Sequence, residues 1–255
     1  MGILDLFRLD GKTAIVTGCS KGLGQGMAAG LAEAGANIFG VSSSPEAAET
    51  KEKVEKAGAK FKYFSANLVS IDPVEKIFAE AVNTFGHVDI LINNAGIIKR
   101  NDAVNFTEAE WDDVINTNLK TLFFMCQAAA RQFIKQKSPG KIVNIASMLS
   151  YQGGIRVPSY TASKSGVKGI TMLMANEWAK HNINTNAIAP GYMATDNTAA
   201  LRADDERSAA IMDRIPAGRW GTPADVAGAA VFLASRAADY INGYTLAVDG
   251  GWLAR

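Results

Sequence analysis

Thr13-Ala14-Ile15-Val16-Thr17-Gly18-Cys19-Ser20-Lys21-Gly22-Leu23-Gly24 is the stretch that decides the fold. An apolar run of strand length turns through three glycines and passes directly into a helix-like segment. Gly18 suits the tight turn, Gly22 lets backbone N–H groups approach a pyrophosphate, and Gly24 lets the helix lie close to the strand. A helix N-terminus then faces the anion. The spacing is G-x-x-x-G-x-G rather than G-x-G-x-x-G, and the Gly-Lys-Ser/Thr ending of a triphosphate loop is absent. Taken alone, the stretch also suits a glycine-rich turn that holds nothing.

The same alternation continues along the chain. Strand candidates are 13–17, 37–41, 60–65, 88–93, 141–146, 184–189 and 244–248. Most are unbroken apolar runs, the pattern of parallel strands covered on both faces. Helix candidates are 23–34, 45–57, 73–85, a long stretch within 108–136, 159–181 and 223–233. The last begins with Thr222 as cap and Pro223 in the first turn. We find no linker and no internal repeat. The expectation is one α/β domain over 1–255, a doubly wound, Rossmann-like parallel sheet of about seven strands with helices on both faces.

Two further features lie where such a sheet gathers its ligands, at the C-terminal ends of its strands. The fourth strand ends in Asn93-Asn94-Ala95-Gly96, where Asn can tie neighbouring loops and the small pair leaves room for a ribose. Downstream stands Tyr160-Thr161-Ala162-Ser163-Lys164, with Ser147 thirteen residues before the tyrosine. On a helix, Tyr160 and Lys164 share a face, and a cation there favours phenolate. That makes Tyr160 a candidate acid/base. Any long helix can carry such a pair as a solvated couple, so its context carries the reading.

Composition narrows the classes. The 255 residues are 48% hydrophobic with a net charge of +1, which speaks against an electrostatic nucleic-acid binder. Cys19 and Cys126 give neither a disulfide framework nor a metal-ligand spacing. No apolar run is long enough for a bilayer. The segment from Met1 to Arg8 is too short and too charged for a signal peptide and has no Ser or Thr at position 6 for myristoylation. Asn105-Phe106-Thr107 is a glycosylation sequon by letter only. The expectation is a soluble cytoplasmic protein without metal, nucleic acid or membrane partner.

Together, Thr17–Gly24, Asn93–Gly96, Asn118, Ser147, Tyr160, Lys164, Pro190-Gly191 with Thr195, and Val248-Asp249-Gly250-Gly251 resemble the short-chain dehydrogenase/reductase family over nearly the whole chain. The resemblance implies an NAD(P)-dependent oxidoreductase. In it, Tyr160 gives a proton to a substrate carbonyl and Ser147 orients the same oxygen. Lys164 lowers the Tyr160 pKa and holds the nicotinamide ribose. Asn118 bends its helix and positions a water that links Lys164 to solvent. The cofactor set implied is Gly18, Ser20, Lys21, Gly22, Leu23, Gly24, Ser42, Asn67, Leu68, Asn94, Ala95, Gly96, Tyr160, Lys164, Pro190, Gly191, Met193 and Thr195. Met193 would act through backbone groups and Thr195 through its hydroxyl, both on the carboxamide. The segment 193–217 would be a polar mobile lid.

Cofactor choice departs from the family pattern. Val41-Ser42-Ser43-Ser44 supplies neither the acid that binds an NAD ribose nor the Arg that accepts an NADP phosphate. Lys21 could pair with that phosphate, whereas Asn67 replaces the usual Asp at the adenine. Finer similarity, in 145–160, 174–181 and 214–221, is to family members that act on deoxy-keto sugar acids in uronate and pectin breakdown. They usually take NAD(H), so the expectation is NAD with NADP left open.

A sugar acid calls for a carboxylate clamp, for which an Arg fork is suited. Arg156 is the first candidate, with Arg100, Arg202 and Arg214 as others. Leu149 and Gln152 join Ser147, Arg156 and Tyr160 as the substrate set. Rival readings are reduction of 3-oxoacyl thioesters on the same scaffold, a sugar-nucleotide epimerase (for which the chain lacks room) and a non-catalytic dinucleotide sensor. Apolar residues on more than one side of 162–179 suit the family's homotetramer, with Trp252–Arg255 reaching a neighbour.

Overall fold

The computed structural model describes residues 2–255, so the N-terminal reading lies outside the described residues where it falls on Met1. Seven parallel strands form one sheet in the order β3-β2-β1-β4-β5-β6-β7. They are β1 (Thr13–Thr17), β2 (Asn37–Ser42), β3 (Phe61–Ser65), β4 (Ile90–Asn93), β5 (Gly140–Ile145), β6 (Ile183–Pro190) and β7 (Thr245–Val248). Side chains alternate across a strand, so each apolar run feeds two cores. Ala14 and Val16 pack on one face with α1 (Gly22–Glu33), α2 (Ala48–Lys56) and α9 (Pro223–Ala234). Ile15 points to the other, with α3 (Val74–Phe85), α5 (Leu122–Gln136) and α6 (Pro158–Trp178). The doubly wound expectation holds.

Helix α9 starts as its sequence indicates. Thr222 is the N-cap, Pro223 opens the helix, and Asp225 accepts from the Thr222 N–H at 2.7 Å. The long stretch 108–136 differs from expectation. It is α4 (Glu108–Ile115), a π-helical turn over Asn116–Thr121, then α5. The buried Asn118 is the reason. Its amide turns to the backbone of Ile97, accepting from N–H at 2.8 Å and donating to C=O at 2.9 Å. A side chain held this way widens the helix locally. The segment after Thr195 is helical too, with α7 (Ala199–Arg202) and α8 (Asp205–Arg214), the latter capped by Asp204. The sequence reading placed no helix there.

Candidate active site

The strand order reverses between β1 and β4, and a crevice opens there beyond the strand ends. Its volume is about 580 Å³. Gly18 turns the chain out of β1 at φ +64°, in the left-handed region that favours glycine. Opposite it, a Cβ on Gly24 would lie 2.1 Å from the Gly18 carbonyl oxygen, so only glycine lets strand and helix meet. The N-cap of α1, Lys21, makes no side-chain cap bond. The first amides of α1 are therefore free for an anion at the cleft wall formed by Gly18, Ser20, Lys21, Gly22 and Leu23. This cradle fits a pyrophosphate.

Beyond the end of β2, Ser42, Asn67 and Leu68 line the cleft. Three hydroxyls cluster there, Ser20 with Ser42 at 3.0 Å and with Ser44 at 3.2 Å. Tyr63 buttresses them by donating to the Ser44 carbonyl at 2.6 Å. Asn67 Oδ1 accepts from the Val69 N–H at 3.1 Å. Lys21 reaches across the mouth to Asp196 at 2.6 Å. That carboxylate is held below its usual range by the lysine.

Asn94 ties the two walls together, its amide donating to the carbonyls of Thr17 at 3.0 Å and Gly18 at 3.1 Å. Ala95 and Gly96 continue the wall. Beneath them Asn93, Cys126, Asn144 and Thr171 form a buried chain of hydrogen bonds from β4 to α6. Asn118 also donates to Ser163 Oγ at 3.3 Å, and Ser163 donates to the Tyr160 carbonyl at 2.8 Å. Both Asn118 N–H groups are thereby spent on protein.

Ser147 follows β5, its Oγ accepting from the Leu149 N–H at 3.1 Å. Helix α6 presents Tyr160 and Lys164 one turn apart, and both line the cleft. Lys164 is only 4% exposed, and its ammonium donates to the Ile145 carbonyl at 2.6 Å. It lies 5.6 Å from the centre of the Tyr160 ring. Burial raises the Tyr160 phenol, while Ser147 and the charge of Arg100 pull it back. Burial lowers Lys164 to about 8. The Lys164 ammonium thus stands beside the Tyr160 ring while donating to a strand-end carbonyl, and Arg100 adds a further positive charge that favours the phenolate.

Pro190 closes β6, and Gly191 donates to the Val248 carbonyl at 3.0 Å. Met193 bridges Gly221, and its carbonyl accepts from Thr195 N–H and Thr198 Oγ. Thr195 lines the cleft, 3.7 Å from where a Gly22 Cβ would stand. Arg156, the first candidate for the carboxylate clamp, is engaged within the chain. It sits at φ +63° with its guanidinium on Asp102 at 3.0 Å. Gln152 meets Arg214 at 3.5 Å, and Arg214 lies 4.0 Å over the Trp252 ring. Trp252 is buried in its own chain with Met148, Ile211 and Ile215, and Leu149 packs against this cluster. Arg255 donates to the carbonyls of Asp213 and Arg214. The C-terminal segment expected to reach a neighbour therefore docks on α8.

The cleft holds residues that the sequence reading did not select: Ile97, Asp113, Thr117, Asp196 and Asn197. The signal for two of them was adjacency, since Asp196-Asn197 follows Thr195 directly. Burial pushes the Cys19 thiol up to about 12 and raises Cys126 also, so neither is a nucleophile at neutral pH. Among the described residues no cluster of three or more His, Cys, Asp or Glu could hold a metal. None of their helices is long and apolar enough to cross a membrane.

Similarity to known proteins is full-length. The profile of the enoyl-(acyl carrier protein) reductase family matches residues 18–253. The chain is 65% identical to 2-dehydro-3-deoxy-D-gluconate 5-dehydrogenase of Escherichia coli (strain K12), over 99% of this chain and 100% of that one. It is 52% identical to the enzyme of the same name from Bacillus subtilis (strain 168), covering 100% of both. The crystal structure of a gluconate 5-dehydrogenase from Burkholderia cenocepacia J2315, in complex with NADP and tartrate, superposes with a TM-score of 0.94. It is 38% identical, with 100% of each chain covered.

Proposed function

The chain belongs to the short-chain dehydrogenase/reductase family, and on that premise we propose that it interconverts a ketone and a secondary alcohol on a deoxy-keto sugar acid. The pair is 2,5-diketo-3-deoxygluconate and 2-dehydro-3-deoxy-D-gluconate, in uronate or pectin catabolism. The full-length identity to relatives of that name carries the reading. The protein is an NAD(P)-dependent oxidoreductase, and the glycine cradle, the hydroxyl cluster and the wall Asn94–Gly96 are the residues that hold the dinucleotide. When bound, the nicotinamide supplies hydride to the carbonyl carbon.

This chain's residues supply the rest. Tyr160 donates its proton to the carbonyl oxygen, whose negative charge grows as the carbon is reduced. Ser147 offers a second donor to the same oxygen. Lys164 sits behind the phenol to bind the ribose hydroxyls and replenish the proton. Asn118 holds Ile97 and Ser163, which fixes the wall and the helix that carry the pair. Segment 193–217, with α7 and α8, closes over the substrate. The exposed Met172 (46%) and Leu173 (47%) on α6 suit a subunit interface, and we infer a homotetramer in the cytoplasm. Light scattering should return four chains.

The family profile's own description keeps one other substrate class in play, acyl thioesters. The deciding assay follows nicotinamide absorbance with a panel of five- and six-carbon keto sugar acids and a 3-oxoacyl thioester, each with NADH and NADPH. Turnover of the thioester and of no sugar acid would end the uronate-pathway reading.

A further inference from the structure

The dinucleotide cleft lies at the C-terminal edge of the strands. At the opposite edge a cavity of about 650 Å³ opens beside the starts of β1, β4, β5 and β6. That volume is in the range of a small-molecule site. The two share no lining residue. Lys141 in the cavity and Ile145 in the cleft lie four residues apart on β5, about 13 Å at the rise of a strand.

Register accounts for the lining. Ala14, Ile90, Lys141 and Asn184 pair across four neighbouring strands, so they form one row on one face of the sheet. Further along that face the side chains are apolar, Val16, Ile92, Val143 and Ile188 among them. Lys141 breaks the pattern. Its side chain is 9% exposed, and lysines are rarely buried so far. An ammonium has three N–H donors. Two of these go to Asn184 Oδ1 at 2.8 Å and Asp239 Oδ1 at 2.7 Å. Among the described residues the third has no acceptor. Burial lowers the Lys141 pKa, and Asp239, itself 60% exposed, offsets this only in part.

The charges around it do not balance. Arg8, Lys12, Lys141 and Arg236 line the cavity against Asp89 and Asp239. Asp10, outside it, takes Arg8 at 2.5 Å. One positive charge is left in excess. Asn182 and Tyr240 also line the cavity, both exposed, with an amide and a hydroxyl suited to the hydroxyls of a ligand.

We propose that this cavity is a second small-molecule site, which takes a hydroxylated organic anion with its carboxylate or phosphate on Lys141 and Lys12. The anion supplies the missing acceptor of the buried ammonium and balances the surplus charge. The ligand's hydroxyls meet Asn182 and Tyr240.

The test does not depend on which substrate is reduced. Calorimetric titrations at low ionic strength use the protein saturated with NADPH, with gluconate, 6-phosphogluconate and inorganic phosphate as probes. At least one organic anion should bind more tightly than inorganic phosphate. Preference for gluconate or for 6-phosphogluconate tells whether the seat takes carboxylate or phosphate. Lys141→Met should weaken that binding about 10-fold or more, the range for losing a charge-assisted hydrogen bond. Lys12→Gln should weaken it less, and Tyr160→Phe should leave it within twofold. Asp239→Asn removes the competing carboxylate, so it should tighten binding several-fold. Lys12 and Asp239 have exposed side chains, so those two variants decide the matter if Lys141→Met does not fold. A wild-type protein that binds neither organic anion below about 10 mM (about 3 kcal/mol) overturns the site. So does binding lost in Tyr160→Phe, which would place it in the cleft. Weaker binding in Asp239→Asn also overturns it, because the Lys141–Asp239 pair would then be a strut between β5 and the turn after α9 and nothing more.

Discussion

The Tyr160–Lys164 pair has a cost that sequence spacing conceals. Lys164 is buried, and its ammonium has a single carbonyl for company. A charge so placed loses hydration that one hydrogen bond does not restore. Its pKa falls from 10.5 to about 8. Between those values the unfolded chain holds a proton that the folded chain has shed, so stability owed to this residue is lowest below pH 8 and recovers as pH rises toward 10.5. Lys164→Met should abolish turnover and yet be more stable than wild type at pH 7, by up to about 3 kcal/mol. Urea melts at pH 7 and pH 10 check it: the advantage should shrink at the higher pH, and a destabilised variant at pH 7 would refute it. Tyr160→Phe removes the proton donor and keeps the ring, so kcat should fall about 10²- to 10⁴-fold, far more than the dinucleotide KM changes. Because burial raises the phenol, reduction should run on a plateau through neutral pH while alcohol oxidation accelerates as pH increases.

The strands were legible because both of their faces are covered, which forces near-continuous apolar runs such as Ile90–Asn93. The π-helical turn was legible only through the resemblance, which implied a bend at Asn118; periodicity did not show it, since Asn116–Thr121 continues an acceptable helical pattern and the contact to Ile97, across chain distance, shows why the turn widens. Helices α7 and α8 escaped for the opposite reason. They are short and polar, and what fixes them is Trp252 beneath and Arg255 alongside. Spacing placed Arg156 at the pocket rim, but a side chain's direction depends on its partner, here Asp102. The π turn yields a prediction. Asn118→Ala leaves the Ile97 N–H and C=O without partners, at about 1–3 kcal/mol each. Chemical denaturation should show a loss of roughly 2–6 kcal/mol, and kcat should fall more than the cofactor KM rises, because the wall and helix α6 shift together. A variant with wild-type stability would mean the turn does not depend on this amide.

At the scale of the whole molecule, the first and last thirds of the chain meet across the cleft through Lys21 and Asp196, which are 175 residues apart in sequence. The pair bears on cofactor choice, which the strand-end residues leave unsettled. The hydroxyls of Ser20, Ser42 and Ser44 can meet either a ribose hydroxyl or a phosphate, and they carry no charge. Lys21 is the cation of the glycine loop, and Asp196 neutralises it. Asp196→Asn releases that charge toward a 2′-phosphate and leaves the glycine cradle unchanged. The KM for NADPH should then fall several-fold while that for NADH stays within twofold. Both partners are exposed, so the shift should fade near 1 M salt, where the Debye length is about 3 Å. If both cofactors weaken equally, the ion pair is holding the segment that leads into α7 in place rather than withholding Lys21. If neither changes, Lys21 does not reach the phosphate, and the serine hydroxyls alone set the preference.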